Sequence, residues 1–264
     1  MPNEELNQPK EIAQILHEQI ETSLHEHRRP RFSLLLSSFS AGLEVGFSLL
    51  LMATAYSMFA ANNSENFTHV LISICYPLGF LFVVIGRSEL FTEHTTLAIF
   101  PVLNGNETVK NLFILWGIIY FGNILGGCLF SYLAVYVGQE MRFIKAETFY
   151  ELAHKLTDFK WHAILISGIF AGWLMGLLAW LIASVNETIS RIFMVIMVTF
   201  VIGFFGLHHS IVGNIELFAG FISSEKITFS LYIKTLALAS FGNLLGGVIF
   251  VALLKFSHVK QSIE

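Results

Sequence analysis

Length, composition and charge exclude several classes of protein. The chain has 264 residues, of which 55% are hydrophobic and 13% are charged, and its mean hydropathy is +0.67. Soluble domains carry about 25% charged residues. This chain therefore has too few charged residues to cover the surface of a soluble protein, and we expect it to be surrounded by lipid. A net charge of −4 and the lack of a long basic run exclude nucleic-acid binding. Cys75 and Cys128 lie in apolar stretches, which excludes a disulfide framework.

The first predicted element is a short amphipathic helix within residues 1–31. This segment is polar and charged, but Ile12, Leu16, Ile20 and Leu24 recur at intervals of four and therefore share one helical face. We expect no removable signal peptide. The segment is expected to be a solvated tail that packs on the cytoplasmic face of the membrane.

Six long runs with few or no charges follow this segment. Each is long enough to cross a bilayer, which requires about 20 apolar residues in a helix. The runs are 32–60, 70–100, 111–137, 161–185, 192–222 and 229–254. The sequence therefore predicts an all-α membrane protein with six transmembrane helices.

The placement of positive charge predicts how these spans are oriented. Four basic residues precede the first span, whereas the 61–69 loop carries none. Both termini are therefore expected on the cytoplasmic side of a cell (inner) membrane. The predicted domains are the cytoplasmic segment 1–31, a first three-span repeat at 32–137, an extracytoplasmic connector at 138–160, a second three-span repeat at 161–256 and a cytoplasmic tail at 257–264.

One segment of the chain occurs twice. FGNILGGCLF at 121–130 returns as FGNLLGGVIF at 241–250, with seven identities in ten positions at an offset of 120. Because each copy contains three spans, an odd number, the second copy must enter the bilayer from the opposite side, as in transporters built from inverted repeats. The paired glycines allow close helix packing, within which Asn123 and Asn243 are expected to bond across helices.

Polar residues interrupt the second and fifth spans at corresponding places in the two copies. RSELFTEHTT occupies 87–96, and GLHHSIVGNIE occupies 206–216. Ionisable groups at this depth usually face a cavity or each other, and irregular backbone is tolerated only where protein or water covers it. We therefore expect both breaks to converge on one site near the bilayer midplane. Its ionisable residues are Arg87, Glu89, Glu93, His94, His208, His209 and Glu216.

The residue types in the breaks suit a small anion or its protonated acid. Thr92, Ser210 and the two histidines of the second break offer hydrogen-bond donors, and histidine titrates in the range needed to neutralise an anion in transit. Phe91 is a candidate constriction, and Glu44 in the first span is expected to reach this network or a cytoplasmic vestibule. Arg87 and the glutamates have two possible roles. They neutralise one another, with Glu89 paired to Arg87, and so hold the broken helices, or they contact the substrate directly.

In these loops the sequence resembles the formate/nitrite transporter family, whose members carry a Glu-Leu-Phe-Thr loop in the second span and a His-Ser loop in the fifth. The matching residues are Glu89, Leu90, Phe91, Thr92, His209 and Ser210. The resemblance implies an aquaporin-like protomer in a homopentamer, with one pore per protomer for formate, nitrite, hydrosulfide or a related small monovalent anion. It also implies that the histidine is the central pore residue, that the Leu and Phe narrow the pore, and that the Thr offers its hydroxyl to the substrate.

Several residues depart from the family pattern and indicate a divergent branch. Residue 208 is His where the family usually has Glu, Glu93 and His94 replace small or neutral residues, and Asn214 falls one place later than the family's Asn. The resemblance therefore does not fix the transported species. The candidate pore residues are Leu90, Phe91, Thr92, His208, His209 and Ser210, and the candidate supporting network is Glu44, Arg87, Glu89, Glu93, His94, Asn214 and Glu216.

Three functions compete on this basis. The leading hypothesis is a passive or proton-linked channel for a small anion, without enzymatic activity, cofactor or metal, in which His209 is the central protonatable group. The first alternative is a membrane metalloenzyme, although adjacent histidines rarely point the same way. Its ligands would come from Glu89, His94, His208, His209 and Glu216. The second alternative is a non-conducting scaffold whose ion pairs are purely structural.

Overall fold

The computed structural model describes residues 10–263, which contain helices and short connections but no strand. Residues 1–9 of the predicted N-terminal segment and residue 264 of the predicted tail lie outside the described residues. The helices are α1 (Ile12–Arg28), α2 (Arg31–Phe59), α3 (Glu65–Cys75), α4 (Leu78–Gly86), α5 (Phe91–Leu97), α6 (Phe100–Leu103), α7 (Val109–Glu140), α8 (Ala146–Thr157), α9 (Trp161–Ser184), α10 (Thr188–Phe204), α11 (Ser210–Ser223), α12 (Phe229–Gly247) and α13 (Leu254–Ile263), and a π-helical segment (Val248–Leu253) joins the last two.

Five helical stretches in the described part of the chain are long and apolar enough to cross a membrane. They are Arg31–Phe59, Glu65–Gly86, Val109–Glu140, Trp161–Ser184 and Phe229–Gln261. The run predicted at 192–222 instead corresponds to two shorter apolar helices, α10 and α11, on either side of the second break. The division into two helices agrees with the interruption that the sequence predicts within this run.

α1 is the amphipathic helix that the sequence predicts. Its buried face includes Ile15, Leu16 and Ile20, whereas Ile12 remains nearly half exposed. The buried face packs against Phe100 and Trp180. α1 therefore seals one end of the helical bundle, near the start of α2.

α8 lies at the other end of α2, within the predicted connector 138–160. The hydroxyls of Ser57, near the end of α2, and Thr148, near the start of α8, are 2.8 Å apart. Phe149 and Leu152 of α8 are buried, so burial of an apolar face accounts for a helix in what the sequence presented as a loop. With a rise of about 1.5 Å per residue, α2 separates the α1 face from the α8 face by roughly 40 Å.

Glycines set the closest helix contacts, as the repeated glycine-rich segments predict. A Cβ atom at Gly42 of α2 would overlap the backbone carbonyl of Asn123 in α7, and one at Gly172 of α9 would overlap that of Asn243 in α12. α2 and α7 therefore pack backbone against backbone, and α9 and α12 do the same. These contacts bring both asparagines within reach of the breaks.

A further bend at Pro77, between α3 and α4, was not predicted. Proline has no N–H group to continue a helix. The Ser48 hydroxyl donates to the carbonyl of Tyr76 at 2.7 Å and accepts from the N–H of Gly79 at 2.9 Å. Ser48 therefore satisfies backbone groups at the bend and holds α4 against α2.

Candidate functional site

Both predicted breaks are present, and the helix before each ends in the same way. Arg87 follows α4 at a φ of 61°, and Gly206 follows α10 at a φ of 59°. In each case the next N–H bonds to the carbonyl five residues earlier at 3.0 Å, which is the pattern of a left-handed helix C-terminus. A residue with a side chain is strained in this conformation, by roughly 1 kcal/mol. The first break therefore carries an arginine where the second carries a glycine.

Asn123 and Asn243 hold the starts of the resumed helices by matching sets of bonds. The Asn123 Oδ1 accepts from the N–H of Phe91 at 2.8 Å, and the Asn243 Oδ1 accepts from the N–H of Ser210 at 2.7 Å. Their amide groups donate to carbonyls two residues before those helices, at 2.8 and 2.9 Å. They also donate to a carbonyl of α2 and of α9, respectively. The two asparagines thus fix both loops to the bundle.

The two breaks meet at Thr92 and His209. The Thr92 Oγ1 lies 2.8 Å from the His209 Nε2, across 117 residues of sequence, and the two residues are 0% and 2% exposed. The ring of Phe80 packs edge-on against His209 at 5.1 Å between centroids. Leu90 and Phe91, which precede Thr92, are also buried. Thr92 therefore lies beside the predicted central histidine, and Leu90 and Phe91 are its buried neighbours in the chain.

Hydrogen bonding assigns the resting form of the His209 ring. Its Nδ1 accepts from the backbone N–H of Val212 at 3.3 Å, so it caps α11. A ring nitrogen that accepts carries no proton, so the proton of the neutral ring is assigned to Nε2, which donates to Thr92. This leaves the hydroxyl hydrogen of Thr92 available. The Ser210 hydroxyl is also buried and has no hydrogen-bond partner among the described residues.

A cavity of about 90 Å³ extends from His209 toward α8. Glu216, Lys155 and His69 add polar or charged groups to its lining, and Tyr76 lines it as well. The His69 Nε2 lies 2.8 Å from the carbonyl of Phe204. The predicted central histidine is therefore open to a mixed-charge cavity on the α8 side.

The side chain of His208 is hydrogen-bonded to protein groups and does not line this cavity. Its Nε2 lies 2.9 Å from the carbonyl of Leu156, and its Nδ1 lies 2.9 Å from the hydroxyl of Ser167. The carbonyl can only accept, so the Nε2 is assigned as the donor and the Nδ1 as the acceptor. Both ring nitrogens are occupied, although His208 shares a second, smaller cavity with His209 and Ser210.

Glu89 is paired differently from the sequence-based expectation. Arg87 is exposed, and the Glu89 Oε1 instead accepts from Arg29 at 2.7 Å. The other Glu89 oxygen contacts the Nε2 of His94. The proposed pairing of Arg87 with Glu89 is therefore wrong, because Arg87 turns out of the bundle at the end of α4 while Arg29 reaches in from the α1–α2 turn.

Arg29 also pairs with Glu26, at 2.9 Å. Burial disfavours the charged guanidinium, but the hydrogen bonds and attraction of Glu26 and Glu89 outweigh it and hold the pKa of Arg29 above its ordinary value. The backbone carbonyl of His94 accepts from the Trp116 indole at 2.8 Å. This network links α1, the first break and α7 on the α1 side of His209.

The remaining predicted network residues lie apart from the cavity. The Glu44 Oε1 accepts from Ser40 at 2.7 Å and from Ser88 at 3.0 Å, which ties α2 to the first break. Glu93 is partly buried on α5. The Asn214 Oδ1 accepts from the Tyr232 hydroxyl at 2.5 Å, within the packing of α11 against α12. The two breaks therefore meet at the Thr92–His209 pair. The other predicted residues contact neighbouring helices away from that pair.

Several residues that build the site are not predicted from the sequence. Asn123 and Asn243 were assigned to helix packing, although their place in the repeated segment was a signal that both copies need the same bonds. Lys155 and Arg29 gave no local signal, because each lies outside the breaks and reaches the site only through the fold. Across residues 10–263, no group of three or more His, Cys, Asp or Glu side chains is arranged to hold a metal ion. The ligand set of the metalloenzyme alternative is therefore not assembled.

Comparison with known proteins identifies the class that this fold and site define. The model of the formate/nitrite transporter family matches residues 13–257. The chain therefore belongs to the formate/nitrite transporter family, and it is a multi-pass membrane protein of a transporter family rather than an enzyme.

One curated relative and two solved structures illustrate the similarity. The inner membrane protein YfdC of Escherichia coli (strain K12) is 27% identical, over 96% of this chain and 80% of the relative. A solved FNT family ion channel matches with a TM-score of 0.83 and 18% identity, over 92% of this chain and 98% of that one. A pentameric formate channel with formate bound matches with a TM-score of 0.74 and 19% identity, over 89% of this chain and 98% of that one.

Proposed function

We propose that this protein is a transmembrane channel for a small monovalent anion or its conjugate weak acid, of the size of formate or nitrite. The observation that carries the proposal is the 2.8 Å contact between Thr92 and His209, which joins the two breaks at a buried point. A buried hydroxyl and imidazole offer donors to a small anion where lipid offers none. Membership of the family and the formate bound in a related structure support the same class of solute.

In this proposal His209 mediates protonation. A desolvated anion is costly in an apolar passage, and a proton removes that charge. When the ring becomes an imidazolium, its Nδ1 can no longer accept from Val212, so the 3.3 Å cap bond is lost. Transfer of one ring proton to the anion then breaks an N–H bond, forms the neutral acid and leaves a neutral imidazole. The buried hydroxyls of Thr92 and Ser210 complete the solvation of the acid.

Leu90 and Phe91 narrow the passage in this proposal. Both are buried next to Thr92, and Phe91 packs edge-on against Tyr120 at 4.9 Å. Apolar side chains on either side of a polar centre penalise a hydrated ion more than a neutral acid. The selectivity for a small solute then follows from the size and apolar character of the constriction.

The proposed architecture is an aquaporin-like protomer with two inverted three-span repeats, at 32–137 and 161–256. The matching bonds of Asn123 and Asn243 support the repeat. We also propose a homopentamer, which the pentameric state of the related formate channel supports, and cytoplasmic termini in a cell (inner) membrane. Residues 1–31 and 257–264 are then cytoplasmic and the connector 138–160 is extracytoplasmic, as the distribution of basic residues favours.

Stopped-flow light scattering of proteoliposomes tests this function. Vesicles that contain the purified protein are mixed with formate, nitrite or hydrosulfide salts, and empty vesicles serve as the reference. We expect at least one of these solutes to move faster than in empty vesicles. Flux equal to that of empty vesicles for every solute would favour the non-conducting scaffold instead.

A further inference from the structure

Glu216 is a buried carboxylate on α11 whose surroundings differ from those of Glu89, the other buried glutamate among the described residues. It is 7% exposed, and among the described residues it accepts no hydrogen bond. Glu89 is, by contrast, bonded to Arg29 through one carboxylate oxygen and to His94 through the other. Buried polar groups are normally satisfied by protein or by water. Glu216 therefore needs a partner that enters from the cavity.

The cavity connects Glu216 to His209 along one face of α11. His209, Gly213 and Glu216 all line it, and their spacing of four and seven residues places them on the same helical face, with about 10 Å of rise between the first and the last. Gly213 contributes no side chain between them. The cavity volume of about 90 Å³ holds several water molecules, which is enough for a hydrogen-bonded chain over this distance.

The polar and charged groups that face Glu216 across the cavity come from two other parts of the fold. α8 contributes Lys155, and the α3 region contributes His69 and Tyr76. The lining residues from α2 and α10 are apolar or glycine, namely Met52, Ile202 and Gly203. Lys155 attracts an anion toward the cavity. Its positive charge favours the carboxylate form of Glu216 whereas burial favours the neutral acid, so the two effects oppose each other.

We propose that Glu216 is the proton relay between water at the α8 face and His209. This inference rests on the proposed function, because it requires that His209 is protonated during transport. In the relay step the O–H bond of the Glu216 carboxylic acid breaks, the proton passes through cavity water, and an N–H bond forms on the His209 ring. The Glu216 carboxylate then takes a proton from hydronium at the cavity mouth, which restores the acid.

The test compares Glu216→Gln with the wild type in proteoliposomes that contain a pH-sensitive dye. The measured quantity is the initial rate of formate-dependent proton movement, from acidic to neutral pH. At neutral pH we expect the variant to be slower by at least about tenfold, since one positioned proton-transfer group typically contributes about 10²–10⁴-fold. At acidic pH the difference should shrink, because hydronium then reaches His209 without the relay. Glu147→Gln is the matched control, since Glu147 is an exposed carboxylate of α8 that pairs with Lys226 at 3.8 Å and does not line the cavity.

The shape of the pH profile separates a relay from a structural role. Equal rates for Glu216→Gln and the wild type at all pH values would overturn the relay and leave the proposed function intact. A reduction of the same size at every pH would also overturn it. Absence of flux for formate, nitrite and hydrosulfide alike in the wild type would overturn the proposed function and the relay together. If Glu216→Gln does not form the wild-type oligomer, Glu216→Met, which needs no hydrogen-bond partner, carries the same expectation.

Discussion

Arg29 donates from its Nη1 to the Oε1 of Glu89 at 2.7 Å, although 60 residues separate them. Arg29 lies in the turn between α1 and α2, and Glu89 lies in the first break. The pair therefore connects the N-terminal helix to the loop that presents Thr92. Glu89 is thus held on the α1 side and does not line the cavity beside His209.

We predict that Glu89→Gln and Arg29→Gln both weaken the first break. Leaving a fully buried charge without any partner costs about 3–5 kcal/mol. The cost here should be lower, because the pair is partly exposed and each residue keeps a second partner, Glu26 for Arg29 and His94 for Glu89. Thermal unfolding of the purified oligomer should therefore begin at a lower temperature in each single variant. The double variant should lose less than the sum of the two. Additive losses would contradict a direct coupling of these residues.

We predict that Asn123→Ala and Asn243→Ala each abolish flux. Each change leaves a buried N–H and two buried carbonyls without their partner, and each such group costs ~1–3 kcal/mol. The start of the resumed helix should then lose its fixed position. Proteoliposome flux and thermal unfolding measure the two effects.

Asn111→Ala provides the control for the asparagine variants. Asn111 lies on the same helix as Asn123, but it is exposed and bonds to Glu107 at 2.9 Å. We expect this variant to behave as the wild type. Full flux in both Asn123→Ala and Asn243→Ala would show that the loops do not depend on the asparagines.

We predict that His208→Asn lowers stability but leaves the pH dependence of flux unchanged. Both ring nitrogens of His208 are engaged, with Ser167 and with the carbonyl of Leu156. Loss of these bonds costs ~1–3 kcal/mol for each buried group left unsatisfied. Flux should be measured across a pH series at a temperature where the variant remains folded. A flattened pH profile would show that His208, rather than His209 alone, titrates during transport.

Much of the fold and part of the site follow from the sequence. The long uncharged runs identify the spans, since only helices with few charges are stable in lipid. The polar residues in two of those runs identify both breaks, because a continuous helix in lipid would not carry so many polar groups. Thr92 and His209 were placed together because corresponding breaks in a repeat are expected to converge, and they lie 2.8 Å apart.

Other parts of the site depend on packing that has no local signal. Arg29 reaches Glu89 only because α1 folds back against the bundle, and no sequence pattern specifies that approach over 60 residues. Arg87 was the nearest basic residue in sequence, but the left-handed turn at its own position directs the chain elsewhere. Lys155 was assigned to a loop. The packing of the buried face of α8 brings Lys155 to the cavity. In the sequence, charged residues between the apolar positions of α8 obscure the pattern of an amphipathic helix.

In the proposed mechanism His209 carries a proton for the transported anion, and the pH dependence of flux in His209→Asn tests this claim. Asparagine keeps a hydrogen-bond acceptor to cap α11 but does not titrate. Initial rates of formate uptake are measured in proteoliposomes over acidic to neutral pH, with the oligomer checked by size-exclusion chromatography. We expect the variant to retain the wild-type oligomer and to lose the pH dependence of the wild type. An unchanged rate and an unchanged pH profile in His209→Asn would contradict the claim.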